Sequence, residues 1–182
     1  MGKSINLIIL EGGTIYDPYK NKKKAGSILI LDGVVKEVGK VTASDNARKI
    51  DCTGKLIVPG LIDIHAHFRE PGREDKETLA TGARAAFSGG FTRVCVMPNT
   101  DPPLDSPEAI RFIIEKSAGL PVQILPIGSI TIGQKGQELS EVGEMVKAGA
   151  VAISDDGFPV QNGQVLRNAL EYAQKYGVPV IN

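Results

Sequence analysis

The strongest constraint on the fold is the alternation of short apolar runs with helical patterns that begins after Pro59. Strands that are apolar almost throughout, each followed by a helix, are typical of a parallel sheet covered by helices, so we predict an α/β fold. Ser106 is the predicted N-cap of the second helix, and Pro107 is its first residue. The predicted strands are LIDIHAHF, FTRVCVMPN, PVQILPIGSIT, AVAISDDG and VPVIN, and the predicted helices are KETLATGARAAFSGG, SPEAIRFIIEKSAG, ELSEVGEMVKAG and GQVLRNALEYAQKYG.

Two architectures share this alternation, the doubly wound sheet and the (β/α)8 barrel. No glycine-rich phosphate-binding loop follows the first strand, which argues against the dinucleotide-binding form of the doubly wound sheet. Polar residues instead follow the strand ends, and in a barrel these ends form the face that carries the active site. We therefore predict the N-terminal part of a TIM-like (β/α)8 barrel. Because VPVIN is only the fifth strand, we expect the chain to be truncated after the fifth barrel strand.

The segment before the alternation has a different character. Short β-rich runs are divided there by Gly-Gly, Asp-Pro, Asp-Gly and Thr-Gly pairs, and no helical pattern occurs. The run ILILDGVVKEVG predicts a hairpin, because Asp32-Gly33 suits a two-residue turn. We predict a small β-rich domain at residues 1–55, followed by the first half of the barrel at residues 56–182.

Composition excludes several classes of protein. The 21 basic and 21 acidic residues cancel, so no charge excess favours nucleic acid or an anionic membrane. No window approaches the ~18 apolar residues of a membrane span, and the start has no signal-peptide pattern. The two cysteines, Cys52 and Cys95, form no disulfide framework, and Cys95 is expected to be a small buried hydrophobe. A cytoplasmic protein is expected.

The two histidines of the chain, His65 and His67, both lie at the end of the first predicted barrel strand. Residues two apart in a strand point to the same side, so both imidazoles can bind one metal ion. A pair of ordinary, partly buried histidines is the alternative, and their place at a barrel strand end favours the metal. Arg69 continues the same period, and its planar fork suits a substrate carboxylate. Its alternative is a surface ion pair with Glu70 or Glu74.

Two histidines do not complete a hydrolytic metal site, so carboxylates at neighbouring strand ends are the further candidates. Asp155 and Asp156 directly follow the fourth predicted strand, and one of them is expected to face the metal. The alternative for this pair is a helix cap or an Asp-Gly turn. Asn99 follows the second strand and can both donate and accept hydrogen bonds, or it is simply a turn residue in a proline-rich loop.

Together these motifs resemble the amidohydrolase superfamily and, within it, dihydroorotase of the class I bacterial type. GLIDIHAHFREPG is similar to that family's first-strand metal motif, and MPNTDPP is similar to its second-strand substrate motif. GSITIGQKGQELSE and AISDDGFPV resemble the third- and fourth-strand segments, and the β-rich start resembles part of a composite β-sandwich. The resemblance implies one or two zinc ions bound by His65, His67 and Asp156. It also implies that Arg69 and Asn99, with His67, bind the carboxylate of dihydroorotate.

The activity that this resemblance implies is the zinc-dependent, reversible hydrolysis of (S)-dihydroorotate to N-carbamoyl-L-aspartate in de novo pyrimidine biosynthesis. It implies a homo-oligomer, with aspartate carbamoyltransferase as a further candidate partner. The family's aspartate general acid/base and its remaining histidine ligands would lie beyond Asn182. The 182-residue chain is therefore expected to be inactive by itself.

Two other interpretations are weighed against this one. The first is a related cyclic amidohydrolase, such as an allantoinase or a hydantoinase, which shares the barrel and the H-x-H motif. The combination of FREPG with MPNT favours dihydroorotase. The second is a non-catalytic, dihydroorotase-like scaffold for aspartate carbamoyltransferase. The candidate ligands His65, His67 and Asp156 are all present, which argues against a scaffold.

Overall fold

The computed structural model of the chain describes residues 6–42 and 46–182, and these fall into two compact units. The first unit ends at Pro59 and the second begins at Gly60. This division lies beyond the boundary expected at residue 55, because Leu56–Ile57 pairs as a strand with the first unit. Residues 1–5 and 43–45 of the predicted β-rich segment lie outside the described residues.

The first unit is a five-stranded mixed sheet. The second strand pairs antiparallel with the first and the third, whereas the fourth and fifth strands run parallel to the first. No helix occurs among the described residues of this unit, as the sequence pattern predicts. The strands are β1 (Leu7–Asp17), β2 (Lys22–Leu31), β3 (Val34–Gly39), β4 (Arg48–Asp51) and β5 (Leu56–Ile57).

The β2–β3 hairpin forms where the sequence predicts it. Leu31 pairs with Val34, so Asp32 and Gly33 are the two turn residues. Both have positive φ values, 49° and 79°, as a type I′ turn requires. The Asp-Gly signal is therefore confirmed as a hairpin turn.

The second unit alternates strands and helices, each at its predicted place, and the α/β prediction is confirmed. The strands lie in the order β6-β7-β8-β9-β10, and all neighbours are parallel. This is the strand order of a barrel rather than the reversing order of a doubly wound sheet. The elements are β6 (Leu61–Ala66), α1 (Leu79–Ser88), β7 (Phe91–Val96), α2 (Pro107–Lys116), β8 (Gln123–Gly128), α3 (Val142–Ala148), β9 (Ala152–Ser154), α4 (Gly163–Tyr176) and β10 (Val180–Ile181).

The core of the second unit lies on both faces of its sheet. Alternate strand residues point to opposite faces, so Val94 and Val96 join the larger cluster while Cys95 joins the smaller one. The larger cluster packs the strands against the helices, through residues such as Leu79, Ile110, Ile113, Met145 and Ala169. The smaller cluster contains Cys95, Met97, Ile127 and Ala152.

Cys52 and Cys95 are buried and unpaired, as expected for Cys95. Within residues 6–42 and 46–182, no helix is long and apolar enough to span a membrane.

The start of α2 follows its predicted capping pattern. The Ser106 hydroxyl accepts a hydrogen bond from the Ala109 amide at 3.3 Å, and Pro107 occupies the first turn. We expect Ser106→Ala to lower the free energy of unfolding by about 1 kcal/mol, because an amide at the helix start loses its acceptor. Urea denaturation of the complete gene product measures this change. Ser106→Asp, which retains an acceptor, is expected to restore the stability, and equal losses in both variants would refute the cap.

Candidate metal centre

Side chains from three strand ends of the sheet meet at its carboxyl edge. His65 lies in β6 and His67 directly follows that strand, while Asn99 follows β7 and Asp156 follows β9. Because parallel strands end at the same edge, these residues come together although they are up to 91 positions apart, from His65 to Asp156. The strand pattern thus assembles one polar site from separate motifs.

His65, His67 and Asp156 form the innermost part of this site. His65 Nε2 lies 3.3 Å from Asp156 Oδ1, and His67 Nε2 lies 3.4 Å from Asp156 Oδ2. One nitrogen or oxygen ligand atom from each residue lies within 4.8 Å of the others. Among the described residues, this is the one group of three His, Cys, Asp or Glu side chains with such a geometry.

The donor atoms of this group fit a metal ion. His67 Nδ1 lies 2.9 Å from Asn99 Oδ1, and Asn99 Nδ2 donates to Asp156 Oδ2 at 3.2 Å. With this amide orientation His67 Nδ1 donates to Asn99 Oδ1, and Nε2 is the ring atom that faces the Asp156 carboxylate. An imidazole nitrogen and a carboxylate oxygen that face each other need a proton or a metal ion between them. Two imidazoles and a carboxylate are also ligands that Zn²⁺ binds, with an outer partner that orients the ring.

Asp155 and Asp156 have different environments, although the sequence left both open as ligands. Asp155 is 1% exposed and its Oδ1 accepts from the amides of Ile130 and Thr131, at 2.8 and 3.1 Å. Its Oδ2 accepts from the Thr131 hydroxyl. Asp155 thus binds the segment that follows β8, whereas Asp156 faces the two histidines. Nothing in the local sequence paired Thr131 with Asp155.

Arg69 lies beside Asn99, and its predicted alternative as a surface ion pair does not occur. Its Nη1 donates to the backbone oxygen of Asn99 at 3.5 Å. Glu70 pairs with Lys116 instead, and Glu74 accepts from the Gly72 amide at 2.9 Å. The guanidinium is therefore not neutralised by either neighbouring carboxylate.

The loops after β6 and β7 contact each other through a backbone hydrogen bond. The Asp101 amide donates to the Pro71 carbonyl at 3.0 Å. Gly72 has a φ of 91°, and a Cβ at this position would clash with the Asp101 carbonyl oxygen. The FREPG and NTDPP motifs are therefore complementary loops. Sequence reasoning missed this contact and the burial of Glu70, which is 4% exposed.

Comparison with solved structures shows that the chain has the fold of hydantoinases, over the part of those proteins that it covers. An L-hydantoinase (dihydropyrimidinase) from Arthrobacter aurescens matches with a TM-score of 0.82 and 21% identity, over 97% of this chain and 40% of that one. A D-hydantoinase (dihydropyrimidinase) from Thermus sp. matches with a TM-score of 0.71 and 23% identity, over 95% of this chain and 39% of that one. The likeness shows an α/β half-barrel, as the sequence predicts.

The sequence comparisons then define the family. A sequence model described as Dihydro-orotase-like matches residues 54–179, and the chain belongs to this family. A dihydroorotase from Pelotomaculum thermopropionicum is 49% identical over 177 residues, which is 96% of this chain and 41% of that protein. A dihydroorotase from Desulforapulum autotrophicum is 49% identical over 181 residues, 97% of this chain and 42% of that protein. The chain thus spans about two fifths of the length of these curated relatives, and the predicted resemblance is confirmed.

Proposed function

We propose that this chain is part of a dihydroorotase that catalyses the reversible hydrolysis of (S)-dihydroorotate to N-carbamoyl-L-aspartate in de novo pyrimidine biosynthesis. The observation that carries the proposal is the convergence of His65, His67 and Asp156 beside Arg69 and Asn99. Membership of the dihydro-orotase-like family supports it, as do relatives that bear the name dihydroorotase. The product is a precursor of UMP.

The proposed metal is zinc, as one or two ions held by His65, His67 and Asp156. When bound, the ion supplies Lewis-acid activation of the cyclic amide carbonyl and of the attacking water. The protein's part is to hold the three donors in place. Asn99 contributes by accepting from His67 Nδ1, which leaves Nε2 of that ring available for the metal.

Arg69 and Asn99, with His67, are the proposed binding residues for the substrate carboxylate. A guanidinium can form two parallel hydrogen bonds with a carboxylate, which orients the ring as well as holding it. The Arg69 side chain pairs with no acid among the described residues, so it is free for such a ligand. Asn99 contacts Arg69 as well as the candidate metal ligands His67 and Asp156, which supports a carboxylate pocket next to the metal centre.

We expect Arg69→Met to raise the KM for dihydroorotate by roughly 10- to 100-fold, because hydrogen bonds to a charged group contribute about 1.5–3 kcal/mol. Steady-state kinetics of the complete gene product measure this change, and the metal content is expected to stay at the wild-type level. Arg69→Lys keeps the charge but loses the planar fork, so an intermediate KM is expected. An unchanged KM in Arg69→Met would contradict the assigned role.

The complete enzyme is proposed to include parts that these 182 residues do not contain. They are an aspartate that acts as general acid/base and further histidine ligands, so the 182-residue chain alone is proposed to be inactive. Exposed apolar residues on β6, with Ile62 49% and Ile64 71% exposed, support additional strands that cover this edge. Residues 1–55 are proposed to form part of a composite β-sandwich.

The remaining parts of the proposal concern the cellular location of the enzyme and its assembly. We propose a cytoplasmic homo-oligomer, with aspartate carbamoyltransferase as a candidate partner. Size-exclusion chromatography with light scattering, in the presence and absence of that transferase, tests both assemblies. A monomer that does not bind the transferase would contradict this part of the proposal, but it would not affect the catalytic part.

A panel of three cyclic amides tests the proposed substrate. The complete gene product is expected to hydrolyse dihydroorotate, and to turn over hydantoin and allantoin at least tenfold less efficiently. The reason is that neither of these presents a carboxylate in the same place to Arg69. Turnover of hydantoin or allantoin without dihydroorotate would replace the proposal by a related cyclic amidohydrolase. Protein that contains no zinc and turns over none of the three would favour the scaffold.

A further inference from the structure

We propose that Glu70 is a positioning residue, which holds Arg69 in the conformation that directs its guanidinium to the substrate carboxylate. The inference rests on the proposed function and extends it from Arg69 to the buried residue beside it. The Glu70 carboxylate contacts the Leu79 amide and the Lys116 side chain, and neither residue belongs to the candidate metal or substrate site. It acts through the backbone of the loop that carries Arg69.

The contacts of Glu70 tie this loop to two helices. Its Oε2 accepts from the Leu79 amide, at the N-terminus of α1, at 2.7 Å. Its Oε1 forms an ion pair with Lys116 Nζ, in the last turn of α2. A buried carboxylate is tolerated only when it is paired and hydrogen-bonded, and here both oxygens have a partner. The hydrogen bond from Lys116 to Glu70 raises the pKa of Lys116 above its ordinary value.

A second anchor lies on the other side of Arg69. Phe68 is 9% exposed, and its ring packs against Gly82 of α1 so closely that a Cβ on Gly82 would overlap it. Arg69 therefore lies between two buried anchors, the Phe68 ring and the Glu70 carboxylate. Such a frame fixes the backbone of the residue in the middle.

The backbone of Arg69 needs this frame. Its φ of 50° lies in the left-handed region, which a residue with a long side chain rarely adopts unless its surroundings impose it. The Glu70 amide donates to the Phe68 carbonyl at 2.5 Å, which closes a tight turn centred on Arg69. In this turn the Arg69 side chain reaches the Asn99 backbone, next to the candidate metal centre. If Glu70 lost its contacts with Leu79 and Lys116, the turn would relax and the Arg69 side chain would leave the pocket.

Kinetics of Glu70 variants of the complete gene product test this role. Glu70→Ala is expected to raise the KM for dihydroorotate about tenfold, with kcat changed less than threefold and zinc content unchanged. Glu70→Gln keeps an oxygen acceptor for the Leu79 amide, so a smaller rise is expected. Glu74→Gln is the matched control, because Glu74 is an exposed acid of the same loop and should leave KM unaltered. If Glu70→Ala fails to fold, Glu70→Gln and Lys116→Met carry the test, each with an expected rise of a few fold.

A double-mutant cycle with Arg69→Met separates positioning from general support of the fold. If Glu70 acts through Arg69, Glu70→Gln raises KM in the wild-type background and has no further effect in the Arg69→Met background. The same rise in both backgrounds, or no rise in either, would overturn the inference. An unchanged KM in Arg69→Met alone, or a wild-type protein without dihydroorotate turnover, would instead count against the proposed function.

Discussion

Asp156→Ala in the complete gene product is expected to abolish dihydroorotate turnover and to weaken metal binding by more than about 100-fold. The loss of an outer partner of a metal ligand already costs roughly 10- to 100-fold in affinity, and Asp156 is proposed as a direct ligand. Its two oxygens lie 3.3 and 3.4 Å from the Nε2 atoms of His65 and His67, so both histidines would lose their shared partner.

Metal analysis after dialysis and a dihydroorotate assay measure the two consequences of Asp156→Ala. Asp156→Asn is the companion variant, because it keeps the shape and one oxygen but removes the charge, and it is expected to retain a small part of the affinity. Zinc bound at the wild-type level in Asp156→Ala, together with wild-type turnover, would remove this residue from the proposed ligand set.

Asp155→Ala is expected to act on stability, lowering the free energy of unfolding by about 3 kcal/mol. The substitution removes a buried charged acceptor and leaves the amides of Ile130 and Thr131 without their partner. These amides belong to the segment after β8, so its attachment to the β9 end would be lost. Urea denaturation of the metal-free complete gene product measures the change.

Two matched variants sharpen the prediction for Asp155. Asp155→Asn retains an oxygen that accepts both amides, so about half of the loss is expected to return. Asp156→Ala is the neighbouring control, because its side chain is 22% exposed and accepts no backbone amide among the described residues. It should cost less than about 1 kcal/mol in the metal-free protein. Equal stability losses at the two positions would contradict the different roles assigned to them.

The strands and helices of the chain were predictable because the local pattern of apolar residues indicates which positions are buried. Each strand of the second unit is a short apolar run, and Ser106-Pro107 begins α2 as a capping pattern predicts. The Asp32-Gly33 turn needs two positive φ values, which these residue types supply at low cost. The pairing of β5 was less accessible from local sequence, because its partners Thr14 and Ile15 of β1 lie about forty residues earlier.

The candidate site was predictable only in part, for a related reason. The two-residue period of His65 and His67 needs nothing but a strand, so their shared direction follows from local sequence. The choice between Asp155 and Asp156 depends on amides at Ile130 and Thr131, which local sequence cannot bring near. The burial of Glu70 depends in the same way on distant partners. These are the Leu79 amide and the Lys116 side chain, 9 and 46 positions further along the chain.

The central claim is that His65, His67 and Asp156 hold a metal ion on which dihydroorotate hydrolysis depends. The most direct measurement compares wild type and His65→Ala of the complete gene product, each assayed on dihydroorotate after chelation and again after added zinc. The wild type is expected to lose turnover on chelation and regain it with zinc, whereas His65→Ala is expected to regain less than about one hundredth of it. Full turnover of His65→Ala, or wild-type turnover that survives removal of all metal, would contradict the claim.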